Sequence, residues 1–356
     1  MSDNTTGRFI NIQALRAIAA ILIMSIHLCA QPFFSKVPFQ SLFFQILQHG
    51  LIGVDIFFII SGFIMAYTTK KTWGDKTNFF LARVIRIYPL YWICTILWTL
   101  KHPLYSKIYM GHFSQLPYYV GSLLLLPVLN SKGELYPILQ PGWTLVYEMF
   151  FYFLFTCLMF GPRQHITLKM GLILGMAYLS HWIIPPQFSL HPFLAHPIYF
   201  EFVMGCFLAR LFELKKLNSP LLIGLTLLSI LVMGCYPWLH ESHENFRFIY
   251  YGIPAFTIVF AGLYLEAKNI VFPPLFKLLG DSSYSLYLTH SLTFKLLSVV
   301  ALPFILLFSR TPVLLLFWFF SILLGVICHL SIEKPIHQKL KSLIEYPPPQ
   351  LQKILE

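Results

Sequence analysis

The chain is a succession of long apolar blocks joined by short polar segments. The blocks run at roughly 10–30, 51–68, 84–100, 117–129, 143–161, 168–184, 197–213, 220–236, 248–265, 282–307 and 313–332. Most are long enough for the ~20 residues that a helix needs to cross ~30 Å of hydrocarbon. The fourth block, 117–129, is too short and contains Pro127, so it is expected to lie in the interface or re-enter rather than cross. Basic residues decide the point, because skipping one span inverts the side of everything after it. With ten crossings and the N-terminus inside, seventeen Lys and Arg fall inside, Lys70, Arg83, Arg163, Lys215 and Lys341 among them, against six outside: Lys36, Lys101, Lys107, Lys132, Arg247 and Arg310. If segment 117–129 crossed, the count would be nine against fourteen, contrary to the positive-inside rule. The pattern therefore predicts an all-α polytopic membrane bundle of about ten helices with both termini cytoplasmic. Segment 101–142 becomes an outer loop with a re-entrant piece, a place where a substrate could enter.

Composition agrees. The chain is 57% hydrophobic and 11% charged, with 35 Phe and a mean hydropathy of +0.70, outside the range of soluble domains. The net charge of +11 lies between apolar blocks and forms no continuous stripe, which excludes a nucleic-acid partner in favour of topology. Cys29, Cys94, Cys157, Cys206, Cys235 and Cys328 lie in or beside apolar blocks without a CxxC pair, and read as small core residues rather than disulfides or metal ligands. The first block is long, carries Arg16 and lacks a small-residue cleavage pattern, so it is expected to remain as a span rather than to be a cleaved signal. No internal repeat or linker divides the chain: residues 1–332 read as one membrane domain and 333–356 as a short cytoplasmic tail.

Candidate chemistry comes from polar residues where hydrocarbon penalises them. Arg16 and His27 lie eleven positions apart in the first helix, so they share a face about 16 Å apart along the axis. A snorkelling anchor would explain Arg16, and a packing or interfacial histidine His27; a site on one face explains both. Arg83 and Arg86 are three apart at what reads as the start of the third helix, where two guanidinia and the positive end of the helix dipole suit a phosphate-bearing ligand, although positive-inside anchoring explains such a pair as well. Asp55 stands near the outer start of the second helix, with Ser61 and Gly62 at mid-depth. It could orient a catalytic histidine or simply favour the helix dipole. Glu148, one and a half turns into the helix that opens with WTLVYE, needs a partner at that depth. Asp281, Ser282 and Ser283 look like helix caps before SYSLYLTH, which ends in His290, with Lys295 five residues on. The cluster His240, Glu241, His243 and Glu244 lacks HExxH spacing, and with His191 and His196 it reads as loop rather than as a metal site.

Taken together and in order, NIQALRAIAAILIMSIH, GVDIFFIISGF, the Arg-x-x-Arg of Arg83 and Arg86 with IYPLYW, PGWTLVYEMFFY and SYSLYLTH resemble the acyltransferase 3 family of membrane acyltransferases. That group includes bacterial exopolysaccharide and lipopolysaccharide O-antigen acetyltransferases. The resemblance implies a bacterial inner-membrane enzyme of ten core helices that moves an acyl group, usually acetyl from cytoplasmic acetyl-CoA, to a hydroxyl of a glycan or glycolipid at the outer leaflet. It implies no metal. Under it, Arg83 and Arg86 serve the donor and His27 is central to transfer. A mechanism built on this runs the pantetheine arm beside Arg16 to His27, as general base or as a transient acyl-imidazole, where Glu148 or Asp55 could fix its tautomer. Some relatives carry a fused extracellular esterase-like domain; this chain is expected to act without one, alone or beside polysaccharide-assembly proteins. The competing class is a transporter or flippase of a glycolipid or acyl intermediate, for which buried charges are also a signature. The absence of an inverted repeat weighs against it.

Overall fold

The computed structural model describes residues 9–31, 49–70, 72–100, 116–185, 188, 190–215, 221–235, 247–307 and 310–345. The expected loop lysines Lys36, Lys101 and Lys107, and the cluster from His240 to Glu244, lie outside the described residues. Among those described there is no strand. The helices are α1 (Ile10–Cys29), α2 (Ile52–Thr68), α3 (Lys76–Leu100), α4 (Leu116–Leu123), α5 (Trp143–Leu158), α6 (Ile166–Ser180), α7 (His191–Leu194), α8 (Tyr199–Glu213), α9 (Leu221–Cys235), α10 (Ile253–Ala267), α11 (Pro274–Asp281), α12 (Ser283–Leu307), α13 (Arg310–Cys328) and α14 (Lys334–Glu345). Each apolar block of the sequence is thus represented by a helix.

Among the described residues, six helical stretches are long and apolar enough to cross a membrane: Ile10–Cys29, His49–Thr68, Lys76–Leu100, His191–Glu213, Phe248–Ala267 and Pro312–Leu343. The protein is therefore all-helical with several membrane-length segments. The fourth block forms only the eight residues of α4, about 12 Å of helix at 1.5 Å per residue. Its irregular exit, with Leu125 at φ 53°, is held by α3: Tyr88 Oη donates to the Leu124 carbonyl at 2.7 Å, Tyr91 Oη to that of Ser122 at 2.8 Å and Trp92 Nε1 to that of Leu123 at 2.9 Å. Main-chain carbonyls that have left a helix need such donors where water is scarce. The aromatic run after Arg86 supplies them.

The centre of the bundle is α2 against α8. The two backbones meet at Gly62 and Gly205, where an added Cβ would collide with the carbonyls of Phe202 and Ile59 respectively. Small residues permit this approach, and close backbones gain dispersion contacts that lipid cannot supply. Around them Tyr147, Phe151, Tyr199 and Phe202 form a buried aromatic core. The start of α1 is fixed as firmly: Glu266 of α10 accepts from the Ile10 and Asn11 amides at 2.5 and 3.1 Å. Those amides have no intrahelical partner, and a carboxylate there also meets the positive end of the helix. The buried Asn11 side chain donates to the carbonyls of Gly262 and Ile270 and accepts from the Phe272 amide. Glu266 and Asn11 thereby set the height of Arg16 and His27 in the bundle.

Two boundaries differ from expectation. Helix α3 begins at Lys76, so Arg83 and Arg86 stand two to three turns inside it rather than at its start. The polar residues Lys76, Thr77 and Asn78 continue the helix ahead of the apolar stretch, and hydropathy does not register them. The terminal amides of α3 are therefore too far away to share an anion with this pair. Asp281 ends α11 rather than capping α12, and the Ser282 hydroxyl turns back to the Leu278 carbonyl. Beyond the last block, α13 passes through a π turn at His329–Glu333 directly into α14, which packs on α3. The first thirteen residues of the expected tail, 333–345, are thus helical and continue the bundle.

Candidate active site

A cavity of about 780 Å³ opens at the end of the bundle where α1 begins and α2 ends. Four helices supply many of the polar residues of its wall. Arg16 comes from α1; Ser61 from α2; Arg83 and Arg86 from α3; Thr144, Glu148 and Tyr152 from α5, where intervals of four residues place them on one face. The volume lies within the usual range for a site that encloses a small molecule.

The charges in this wall are unequal in their partners. Glu148 accepts from the Ser61 hydroxyl at 3.1 Å and from the Tyr152 hydroxyl, which also lies 3.3 Å from Ser61. The arginines are less committed. Arg16 donates only to the neighbouring Gln13 side chain, at 3.2 Å. Arg83 rests over the rings of Phe79 and Tyr152, at 5.2 and 5.5 Å, with its Nε buried and without a hydrogen-bond partner. Among the described residues none of these three guanidinia makes an ion pair. Guanidinia held in a half-buried wall without a direct ion pair are suited to meet an anion.

At the closed end the lining is Phe57, Thr144 and Tyr287. Tyr287 is fixed there, its hydroxyl 2.9 Å from Thr144 Oγ1 and donating to the Pro141 carbonyl at 2.9 Å. Beyond this layer lies His290, fully buried, with its ring 6.0 Å from that of Tyr287. His27 is next in line. Its ring stacks on His290, centroids 5.1 Å apart at 14°, and its Nδ1 lies 3.2 Å from His290 Nε2. The opposite side of His27 is exposed in the last turn of α1. Of the pair expected to share a face, Arg16 lines the cavity and His27 does not.

The hydrogen bonds fix the tautomers. His290 Nδ1 is 2.6 Å from the Tyr287 carbonyl, which can only accept, so the proton sits on Nδ1 and Nε2 carries a lone pair. That lone pair accepts from His27 Nδ1–H, which leaves His27 Nε2 as the basic nitrogen of a neutral imidazole. The side chain beside His27 Nδ1 is thus another histidine rather than a carboxylate. Glu148 is committed to Ser61 and Tyr152. Asp55 is fully buried and pairs with Arg247 Nη2 at 2.6 Å; Glu201, also fully buried, is the second acid beside Arg247. His290 could not be assigned from spacing, since its partner is 263 residues away. Lys295, one turn further, lies over the Trp98 ring at 4.0 Å. His196 packs against Trp143 and Tyr147. Among the described residues there is no group of three His, Cys, Asp or Glu able to hold a metal ion.

Comparison with known proteins identifies the family. Residues 9–333 match the acyltransferase domain of the acyltransferase 3 family. The exopolysaccharide production protein ExoZ of Rhizobium meliloti is 30% identical over 81% of this chain and 89% of its own length. Nodulation protein 10 of Rhizobium leguminosarum is 25% identical over 84% of this chain and 86% of its own. The O-acetyltransferase OatA of Staphylococcus aureus is 27% identical over 78% of this chain but 49% of its own length. No solved structure matches. With a family match over nearly its whole length and a cavity fit for an anionic substrate, the chain belongs to the acyltransferase 3 family and is a membrane acyltransferase.

Proposed function

We propose that the protein transfers an acetyl group from cytoplasmic acetyl-CoA to a hydroxyl of a cell-surface glycan or glycolipid, an exopolysaccharide or a lipopolysaccharide O-antigen. In this reading it does so from a ten-span bundle in the bacterial inner membrane with both termini inside. The observation that carries the reading is a cavity with three unpaired guanidinia whose closed end abuts a histidine of defined tautomer.

The donor enters at the open end. Its phosphates lie against Arg83 and Arg86, and its pantetheine arm runs past Arg16 and the Ser61–Glu148–Tyr152 group, whose donors and acceptors suit its amides. The thioester then reaches the layer of Phe57, Thr144 and Tyr287. His27 Nε2, approached from the exposed end of α1, takes the proton of the acceptor hydroxyl as its oxygen attacks the thioester carbonyl. The C–O bond forms, the C–S bond breaks, and the proton passes from the imidazolium to the departing thiolate. His290 holds the imidazole through its Nδ1–H and accepts part of the positive charge that develops on it. Burial behind Tyr287 keeps water from the thioester.

Purified protein supplied with labelled acetyl-CoA and a deacetylated surface glycan tests the reading. Label on the glycan with stoichiometric free CoA is expected; label carried across the membrane on an unchanged molecule would instead identify a transporter. Mass spectrometry of glycan acetyl content with and without the gene identifies the acceptor.

A further inference from the structure

The family match ends at residue 333, yet the cavity does not. Its lining continues into α14 through Lys334, His337, Gln338 and Lys341. Their intervals of three, four and seven put all four on one helical face. Lys339 lies on another side of α14, exposed and outside the lining.

Two features hold this face on the cavity. Pro89 interrupts α3 and has no amide hydrogen for the carbonyl of Ile85, four residues back. The His337 ring is turned onto that carbonyl, while its Nδ1 is buried with no hydrogen-bond partner among the described residues. The second feature is the π turn, which inserts one residue into the helix and so rotates everything after it. It also places Glu333 where Ser285 Oγ donates to it at 2.6 Å and His329 Nδ1 lies 2.8 Å away. The nearest acid on the approach from α14 is thereby occupied. Counting every charged group of the lining, the cations Arg16, Arg83, Arg86, Lys334 and Lys341, with His329 and His337, face the acids Glu148, Asp281 and Glu333. The excess is positive.

We propose that α14 is a phosphate-binding element of the donor site: Lys334 and Lys341, with His337 between them, receive the phosphorylated nucleotide end of acyl-CoA while Arg83 and Arg86 hold its deeper phosphates. The proposal rests on the donor reading given above. A basic amphipathic helix beside a bilayer ordinarily binds anionic lipid headgroups. Here the basic face, exposed at Lys334 and Lys341, also lines a cavity of the protein, which favours a soluble ligand that enters that cavity.

The test measures binding to the full chain in nanodiscs of phosphatidylcholine alone, by calorimetry with CoA, dephospho-CoA and pantetheine. Wild type is expected to bind CoA more tightly than dephospho-CoA, which lacks the ribose phosphate. Lys334→Gln with Lys341→Gln is expected to weaken CoA binding by roughly tenfold to a hundredfold, the range for lost charged hydrogen bonds. The same variant should erase the preference over dephospho-CoA and leave pantetheine unchanged. Lys341→Arg and Lys339→Gln should bind as wild type. Unaltered CoA affinity in the double variant overturns the role of α14 and leaves the donor reading standing. An equal loss for pantetheine overturns it as well, since that is a general disturbance of the site. A loss that appears only when phosphatidylglycerol is added assigns the lysines to lipid. Wild type that binds neither CoA nor pantetheine overturns the donor reading itself.

Discussion

Arginine is used in opposite ways at the two ends of this bundle. Arg247, at the end where α2 begins, is locked: it bonds Asp55 at 2.6 Å, reaches the Leu51 carbonyl and has Glu201 beside it. At the other end Arg16, Arg83 and Arg86 line an open cavity with no ion pair among the described residues. A buried charge needs compensation from somewhere. Arg247 finds it within the chain, and so contributes to the fold. Under the proposed function the cavity arginines find it in the bound donor, and so contribute to recognition. Residue type and depth alone do not separate these cases; the number of acids that the tertiary structure brings within reach does.

The sharpest way to break this contrast starts beyond the cavity. His27→Ala should lower acetyl transfer by about 10²- to 10⁴-fold, the contribution of a positioned general base, while donor binding and thermal unfolding stay as in wild type. Full activity in a membrane preparation would remove His27 from the chemistry. His290→Phe keeps a ring in the stack but removes the acceptor for His27 Nδ1–H; it should lower the rate less and move the pH–rate profile, which a purely structural role would not do. Next in size, Arg247→Met strands two buried acids and should cost about 3–5 kcal/mol of stability, seen as earlier thermal unfolding without a selective change in donor affinity. Arg86→Gln should do the reverse. Its donor affinity is expected to fall by about 1.5–3 kcal/mol, the worth of a charged hydrogen bond, with the unfolding transition in place. If Arg86→Gln unfolded early and Arg247→Met did not, the two ends would have been assigned the wrong way round. Tyr152→Phe removes one donor to Glu148 and should show the smallest effect, about 0.5–1.5 kcal/mol, in donor affinity or stability.

Much of the fold was legible because hydrocarbon permits few solutions. Each apolar block became a helix, and the short block 117–129 became the eight-residue α4. Helix α3 was misplaced at its start because Lys76, Thr77 and Asn78 are polar yet helical. The site was legible in part. Arg16, Arg83, Arg86 and Glu148 meet in one cavity, since a polar residue in an apolar helix has to face the interior. The same rule cannot say which interior partner it meets. Asp55 and Glu148 were equivalent candidates to orient His27, and both are occupied elsewhere. Trp92 and Tyr91 looked like part of an aromatic motif and prove to be donors to the last carbonyls of α4. The basic face of α14 was read as a tail because nothing in KPIHQKLK announces a π turn behind it.

The sequence by itself determined the membrane class, the helices and the family, and it offered the candidate polar residues. Local spacing and the cost of polar groups in hydrocarbon are properties of short stretches of chain, and those stretches suffice. Only the tertiary structure decided which charges are neutralised within the chain and which are left for a ligand, and it alone set His290 against His27. Those outcomes depend on contacts between residues up to 263 positions apart. They are settled by how α1, α3, α5, α12 and α14 pack, through Glu266 at the start of α1, Pro89 in α3 and the π turn before α14, and not by any one helix read alone.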